Sequence, residues 1–388
     1  MFFLFLYFIC VSLFNPVIYG FNVSNYILVI SFLLLLVLRN VKLRIFSRNS
    51  NSAVICYLFY IIIAITIIYS SDKTISLIIY LKLGIPIIFT IILLNVVKTK
   101  DNFLRLINLI VYTVMILSIY GFIQYYFGIG NYYLERIGSE RIIRATGTFK
   151  QSNVLASFIV LSIPFIVYKI SICKGKLAKC GNIFILIISL VCLYFTFSRW
   201  AIICVVITFG GYAVKKYVIN LIKKGIKLNR YNVLFFMICC IGMYFIYKYV
   251  NDLYLLFVYR GSNTMRQNNL LMAYDVFKNH IWGMGLGNGN VGFILDSTYM
   301  QLLVDTGIIG FLAFTAMMSV LYFQFKKISK QDSYNDIYNI TKISLMIFII
   351  NCFLETILYN SLINIFLGIY LFILNVDSRI LQNTSEVN

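Results

Sequence analysis

The sequence predicts an all-α, polytopic integral membrane protein with about 12 transmembrane helices, and three observations support this. First, 61% of the residues are hydrophobic and only 12% are charged, with a mean hydropathy of +0.90. A soluble core cannot bury so much apolar surface, whereas a bilayer accommodates it. Second, long apolar runs recur along the whole chain. Third, clusters of Lys and Arg occupy every second gap between these runs.

The apolar runs predict the individual spans, each near the length needed to cross a hydrocarbon core of roughly 30 Å. They lie at 1–19, 22–38, 53–70, 75–97, 106–128, 154–171, 183–198, 200–214, 232–250, 299–323, 343–359 and 361–375. The chain is therefore expected to form one membrane domain over 1–388, with two long loops on the same side at 129–153 and 251–298.

The basic residues orient these spans. On this map 22 of the 33 Lys and Arg lie on the side that carries both termini, and 11 lie on the other side. The positive-inside rule makes the first side the cytoplasm. We therefore expect a multi-pass protein of the plasma membrane with both termini cytoplasmic and both long loops external. Since topology largely explains the net charge of +20, no nucleic-acid partner is expected.

One apolar stretch, 183–214, is too long for a single span and short for two. A single span would place the six Lys and Arg between 215 and 230 on the external side, against the positive-inside preference. The rule favours a tight hairpin with Ser198, Arg199 and Trp200 at its external turn.

The residue inventory argues against a metal or nucleotide cofactor. The nine cysteines all fall in predicted spans or in the cytoplasmic loop, and His280 is the single histidine. Neither a disulfide framework nor a Cys/His zinc site is supported by this pattern. The external acids also lack the DxD spacing of a nucleotide-sugar site.

Arginine is enriched on the predicted external side, where it makes up six of the 11 basic residues, against six of 22 inside. Its planar fork of donors binds phosphate bidentately, so the enrichment suggests an anionic substrate. Anchoring at the membrane interface is the alternative. The same choice applies to Arg199, which either reaches lipid headgroups or binds the phosphate of a lipid-linked substrate.

Three further features of the external side have two interpretations each. The run after Trp282 contains Gly283 and Gly285, and forms either tight turns or a nest of backbone N–H groups near a pyrophosphate. Asp296 precedes a span, as an N-cap or as a general base. Lys82 and Glu355, both in predicted spans, either pair with each other or line a cavity.

Four segments between 144 and 310 carry a family resemblance. They run from Arg144 to Asn153, from Phe197 to Trp200, from Arg266 through His280-Ile-Trp-Gly283-Met-Gly285, and from Asp296 through Tyr299 to Gly310. In this order they resemble the O-antigen ligase/polymerase superfamily, which contains the Wzy-type polysaccharide polymerases. The ligases have a His where Asp296 lies, and this difference favours a polymerase.

The resemblance implies a glycosyltransferase for a bacterial surface polysaccharide, and the high content of Ile, Asn, Lys and Tyr fits a capsule or exopolysaccharide. Such an enzyme transfers a growing glycan from undecaprenyl pyrophosphate to a lipid-linked oligosaccharide repeat, without metal or cofactor. Its partners would be these lipid-linked oligosaccharides, the bilayer and a chain-length regulator protein. The alternatives are a ligase that transfers finished glycan to another acceptor, a flippase for the same lipid-linked sugars, and a non-catalytic scaffold.

The resemblance also implies roles for individual residues. Arg199 and Arg266 would bind the pyrophosphate and stabilise its developing charge, and Asp296 would accept the hydroxyl proton. The other residues implied in the site would bind substrate: Arg136, Arg141, Arg144, Asn153, Gly283, Gly285 and Tyr299.

The predicted topology can be tested with reporter fusions. Fusions at about residues 140 and 275 should report an external location, and fusions at about 176, 222 and 330 a cytoplasmic one, because basic loops stay inside. An external signal near 222 would contradict the 183–214 hairpin and remove Arg199 from the proposed site.

Overall fold

The computed structural model describes residues 1–13, 17–18, 21–38, 51–129, 133–137, 140–149, 151–206, 261–287, 295, 297–331, 335–376 and 380. In this part of the chain six helices are long and apolar enough to cross a bilayer: Lys73–Val96, Lys100–Phe127, Ser152–Ile172, Lys176–Phe195, Thr298–Ser329 and Asp336–Phe353. Four shorter apolar helices accompany them. The prediction of a helical membrane protein is confirmed at this level.

The described residues form the following elements in chain order. The helices are α1 Phe2–Leu13, α2 Val23–Leu38, α3 Asn51–Thr66, α4 Lys73–Val96, α5 Lys100–Phe127, α6 Ser152–Ile172, α7 Lys176–Phe195, α8 Arg199–Val205, α9 Gly261–Asn279, α10 Thr298–Gln331, α11 Asn335–Leu354 and α12 Ser361–Asn375, with a 3₁₀ helix at Ile357–Tyr359. Two antiparallel hairpins pair β1 Val17–Ile18 with β2 Phe21–Asn22, and β3 Tyr133–Ile137 with β4 Glu140–Arg144.

Three helices match their expected spans closely, whereas the span expected at 1–19 is shorter, because α1 ends at Leu13 and Val17–Ile18 is a strand. The span expected at 75–97 is α4, the span at 154–171 is α6, and the span at 361–375 is α12. The break expected inside 183–214 falls between Phe195, where α7 ends, and Arg199, where α8 begins. The span expected at 232–250 and the second half of 200–214 lie outside the described residues.

The two long segments expected as loops contain regular structure that the sequence did not predict. The 129–153 segment holds the β3–β4 hairpin. The 251–298 segment holds α9, which is polar overall and so carries no apolar run. Ala273 and Val276 of this helix pack with Leu295 and Val304 in a small cluster beside α10. Tertiary packing stabilises this helix where the sequence alone shows only a polar segment.

Helix α12 lies at the centre of the bundle, with every residue from Ser361 to Ile373 buried. It packs against α4 at a point of close backbone approach, where a Cβ on Gly368 would lie 2.8 Å from the Pro86 carbonyl oxygen. The Thr90 hydroxyl donates to the carbonyls of both Pro86 and Gly368, at 2.7 and 3.1 Å. Small residues and hydroxyl hydrogen bonds at such crossings are typical of membrane helices, since lipid supplies no hydrophobic driving force between them.

Helix α10 is broken at Gly307, whose φ of 67° and ψ of −167° are non-helical. The loop after α9 fits into this break. The N–H groups of Met284 and Gly285 donate to the carbonyls of Val304 and Asp305, and the N–H of Ile308 donates to the Ile281 carbonyl. This backbone pairing joins the C-terminal end of α9 to both sides of the break.

Two glycines make the pairing sterically possible. A Cβ on Gly307 would lie 2.3 Å from the Trp282 carbonyl carbon, and a Cβ on Gly283 would lie 2.5 Å from the Gly307 nitrogen. Both distances are far below van der Waals contact, so neither position accepts a side chain without moving the backbone.

Substituting Gly307→Ala should destabilise the protein, because the new Cβ meets the loop backbone and the dihedral angles are accessible essentially to glycine alone. We expect the free energy of unfolding to fall by about 1–3 kcal/mol, which is measured as a lower midpoint of thermal unfolding in detergent.

Gly84→Ala is the matched control, because a Cβ at Gly84 has nothing within 4 Å. Alanine at this position of α4 should leave the free energy of unfolding unchanged or raise it by up to about 1 kcal/mol, so the midpoint should not fall. Equal midpoints for the two variants would contradict the steric argument.

Candidate functional site

Several helix ends meet at one end of the bundle. The Ala145 N–H donates to the Phe195 carbonyl at the end of α7, and the Thr298 N–H donates to the Glu355 carbonyl just after α11. The starts of α6, α8 and α10 therefore lie beside the ends of α7 and α11. We call this the site end. Lys100 begins α5 and Gln124 lies near its other end, so at 1.5 Å per residue the basic start of α5 is about 36 Å away.

Four polar residues from separate elements form a continuous network at the site end. Arg144, the last residue of β4, donates from Nη2 to Asn153 Oδ1 at 2.8 Å. Asn153, in the first turn of α6, donates from Nδ2 to Glu355 Oε1 at 2.8 Å. Arg266 of α9 donates from Nη2 to the same oxygen and forms an ion pair with it at 3.2 Å. We call Arg144, Asn153, Glu355 and Arg266 the site network.

The network is substantially removed from solvent. Arg144 is 8% exposed, and the side chains of Glu355 and Arg266 are 12% and 26% exposed. The network contains two guanidinium groups and one carboxylate, so these four residues together carry a net positive charge. Burial strengthens the interaction of such charges with an anion, since water screens them less.

A buried glutamine holds the turn between β4 and α6. Gln124 Oε1 accepts from the N–H groups of Thr146 and Gly147 at 3.0 and 2.8 Å, and Nε2 donates to the Gly147 carbonyl at 2.9 Å. Arg144 Nε adds a bond to the Thr196 carbonyl at 2.8 Å. These contacts fix the turn between α5 and α7, and thereby position Arg144 and Asn153.

Two cavities adjoin at the network. The first, which we call the arginine cavity, has a volume of about 160 Å³ and is lined by Trp200, Arg266, Asn269, Leu270, Leu295, Ser297, Met300 and Phe353. The second, the glutamate cavity, has a volume of about 170 Å³ and is lined by Gln151, Asn153, Val154, Glu355, Thr356, Ile357, Tyr359 and Asn360. Because Arg266 of one cavity contacts Glu355 of the other, the ion pair lies at their boundary.

Three of the predicted site residues, Arg144, Asn153 and Arg266, are brought together by the network. Arg199 begins α8 and is half-buried, and its neighbour Trp200 lines the arginine cavity. Arg136 and Arg141 are partners in the β3–β4 register, and their side chains lie outside the described residues.

The predicted general base Asp296 also lies outside the described residues. Its neighbours in sequence, Leu295 and Ser297, both line the arginine cavity. The proposed role of Asp296 therefore stays a prediction.

Gly283, Gly285 and Tyr299 have packing roles in the structure. The N–H groups of Gly283 and Gly285 donate to the carbonyls of His280 and Asp305, so these two amides are used within the protein and do not form the expected anion nest. Tyr299 is 7% exposed, its ring lies 4.3 Å from that of Phe353, and its hydroxyl is 3.5 Å from the Ile349 carbonyl oxygen. The three residues position the loop and α10, and Met300, next to Tyr299, lines the arginine cavity.

Sequence reasoning missed the central role of Glu355. The signal was an acid at the end of an apolar span, where an ionisable group needs a partner. The sequence left open a pair with Lys82 or a place in a cavity wall, and the structure gives Glu355 an ion pair with Arg266 and a place in the glutamate cavity. Gln124 carried the same signal, as a polar side chain within the apolar run of α5.

Within the described residues no group of three or more His, Cys, Asp or Glu is arranged to hold a metal ion. Comparison of the sequence with known protein families and with functionally characterised proteins finds no match.

The contribution of the network to stability can be tested at Arg144. Arg144→Lys keeps the charge but cannot reach both Thr196 and Asn153, because an ammonium lacks the planar fork. Losing one such hydrogen bond should cost about 1.5–3 kcal/mol, measured as a lower unfolding midpoint in detergent. The control Arg105→Lys changes an exposed arginine of α5 and should leave the midpoint unchanged. A midpoint for Arg144→Lys equal to that of the control would contradict this role.

Proposed function

We propose that the chain is a bacterial surface polysaccharide polymerase of the O-antigen ligase/polymerase type. It transfers a growing glycan from undecaprenyl pyrophosphate to a lipid-linked oligosaccharide repeat. The observation that carries the proposal is the site network. Arg144 and Asn153 belong to the first family-like segment and Arg266 to the third, and Glu355 connects them at a cavity wall.

The reaction places two demands on such a site. The bond between the anomeric carbon of the glycan and the pyrophosphate oxygen breaks, and a new bond forms from that carbon to the acceptor hydroxyl oxygen. The acceptor proton passes to a base, and undecaprenyl pyrophosphate leaves with the bonding electrons. An enzyme therefore needs cations beside the leaving group and a base beside the hydroxyl.

The arginine cavity supports the first demand. Arg266 supplies a guanidinium at a wall that is otherwise largely apolar, formed by Trp200, Leu270 and other hydrophobic residues. A pyrophosphate with a prenyl chain combines the anionic and apolar groups that such a wall favours. Arg199 begins α8 next to Trp200 and is the second proposed pyrophosphate ligand. Arg136 and Arg141 would hold the second carrier or an acidic glycan, and Asp296 would serve as the base.

The orientation of the site also supports the proposal. The Lys-rich ends of α5, α6 and α7 lie opposite the site end, because these helices contact one another with alternating direction. Under the positive-inside rule the site end then faces outward. We propose a chain of about 12 spans in the plasma membrane with both termini cytoplasmic, in which polymerisation occurs at the external face.

Polymerisation by purified protein tests this function. The protein in nanodiscs, supplied only with lipid-linked repeats extracted from its own host and with a metal chelator, should make long chains because the pyrophosphate bond drives transfer. Arg266→Lys should slow chain growth about ten- to hundredfold, since one charge-assisted hydrogen bond of about 1.5–3 kcal/mol is lost. Asp296→Asn should slow it by about 10²–10⁴-fold if Asp296 is the base.

The outcomes separate the competing functions. A requirement for a separate acceptor would make the protein a ligase and contradict the polymerase. Movement of repeats across the membrane of proteoliposomes without bond formation would identify a flippase. An unchanged rate of chain growth for Arg266→Lys would contradict a role for the arginine cavity in the mechanism. Arg105→Lys is the control, because it makes the same exchange of guanidinium for ammonium at the opposite end of the bundle.

A further inference from the structure

We propose that the glutamate cavity is a carbohydrate-binding site, which takes the terminal sugar ring of the acceptor through hydrogen bonds with Glu355, Asn153, Gln151 and Thr356. This inference rests on the proposed function and assigns one substrate to each cavity. The pyrophosphate end of the donor would occupy the arginine cavity, and the hydroxyl-bearing end of the acceptor the glutamate cavity.

The first argument is the chemistry of the walls. The glutamate cavity is lined by a carboxylate, three side-chain amides and two hydroxyl-bearing residues, together with two aliphatic side chains. Sugar hydroxyls both donate and accept hydrogen bonds. Carboxylates accept, amides do both, and hydroxyls do both, so this wall matches a sugar ring group by group. The arginine cavity has a mostly hydrophobic wall by contrast.

The second argument is that polar groups of the wall are available. The Gln151 amide and the Thr356 hydroxyl make no side-chain hydrogen bond with any residue that the structure describes, although both line the cavity. Asn153 is held by the network, and its bonds to Arg144 and Glu355 fix the direction of its amide. A sugar entering the cavity thus meets two adaptable groups and two fixed ones.

The third argument is size and position. At about 170 Å³ the cavity is smaller than the roughly 300–1,000 Å³ of sites that enclose a drug-sized ligand, which restricts it to one ring. Glu355 Oε1 lies 3.2 Å from Arg266 Nη2, so a sugar at Glu355 is adjacent to an anion at Arg266. An acceptor hydroxyl and a donor pyrophosphate must be adjacent for transfer between them.

The test uses two probes that separate the cavities. The first is the oligosaccharide released from the lipid-linked repeats by mild acid, which lacks both lipid and pyrophosphate. The second is farnesyl pyrophosphate, which lacks sugar. The chain has two tryptophans, so in a Trp282→Phe background Trp200 alone reports on the arginine cavity by its fluorescence. Oligosaccharide binding is measured by calorimetry on the full chain in nanodiscs.

The variant Gln151→Leu/Thr356→Val removes two hydrogen-bonding groups from the glutamate cavity while keeping side-chain volume. Oligosaccharide affinity should fall about five- to hundredfold, as expected for two neutral hydrogen bonds, and farnesyl pyrophosphate affinity should stay unchanged. Thr315→Val is the matched control. It removes a hydroxyl of α10 that bonds only to the Leu312 carbonyl among described residues and should change neither affinity.

Unchanged oligosaccharide affinity in the double variant would overturn the inference, as would an equal fall for both probes. Wild-type protein that polymerises but does not bind the oligosaccharide would overturn the inference and leave the proposed function intact. Wild-type protein that binds the oligosaccharide through these residues but never polymerises repeats would support the sugar site and contradict the proposed polymerase function.

Discussion

The arrangement of the site end depends on the pairing of Arg266 with Glu355. An ionisable group near lipid is tolerated only with a partner, and these two residues supply each other with one across α9 and the end of α11. Asn153 and Arg144 extend the pair to α6 and the β3–β4 hairpin. Removing one charge would leave the other buried, which costs far more than the pair itself contributes. Elements far apart in sequence are thereby held in one geometry.

Local pattern was enough to locate most of the apolar helices. An apolar run near the thickness of a bilayer becomes a helix because lipid leaves the backbone no other way to satisfy its hydrogen bonds. The bounds of α4, α6 and α12 therefore follow from hydropathy alone. The turn before Arg199 followed from charge asymmetry, and Phe197 adopts a positive φ of 49° there.

Pairwise relations could not be predicted in this way. The pairing of Glu355 with Arg266 depends on how α9 packs, and α9 itself carries no hydropathy signal. Gly283 and Gly285 were candidates for an anion nest, but the Gly283 amide donates to the His280 carbonyl, and the Gly285 amide donates to the Asp305 carbonyl beside a helix break that no local pattern predicts. The order of the motifs predicted Arg144, Asn153 and Arg266 as site residues. Only the fold shows that one hydrogen-bond network connects them.

The backbone pairing at Gly307 has a consequence for Arg266. Helix α9 ends in a loop that is hydrogen-bonded to α10 on both sides of the break, so the arginine is carried on an element with little freedom to move. Its orientation is set during folding and is not acquired on contact with a ligand. Such preorganisation lowers the entropy lost on binding and leaves little reorganisation for the moment of reaction. A glycine about 40 residues further along the chain thus helps to hold in place a charge that it never touches.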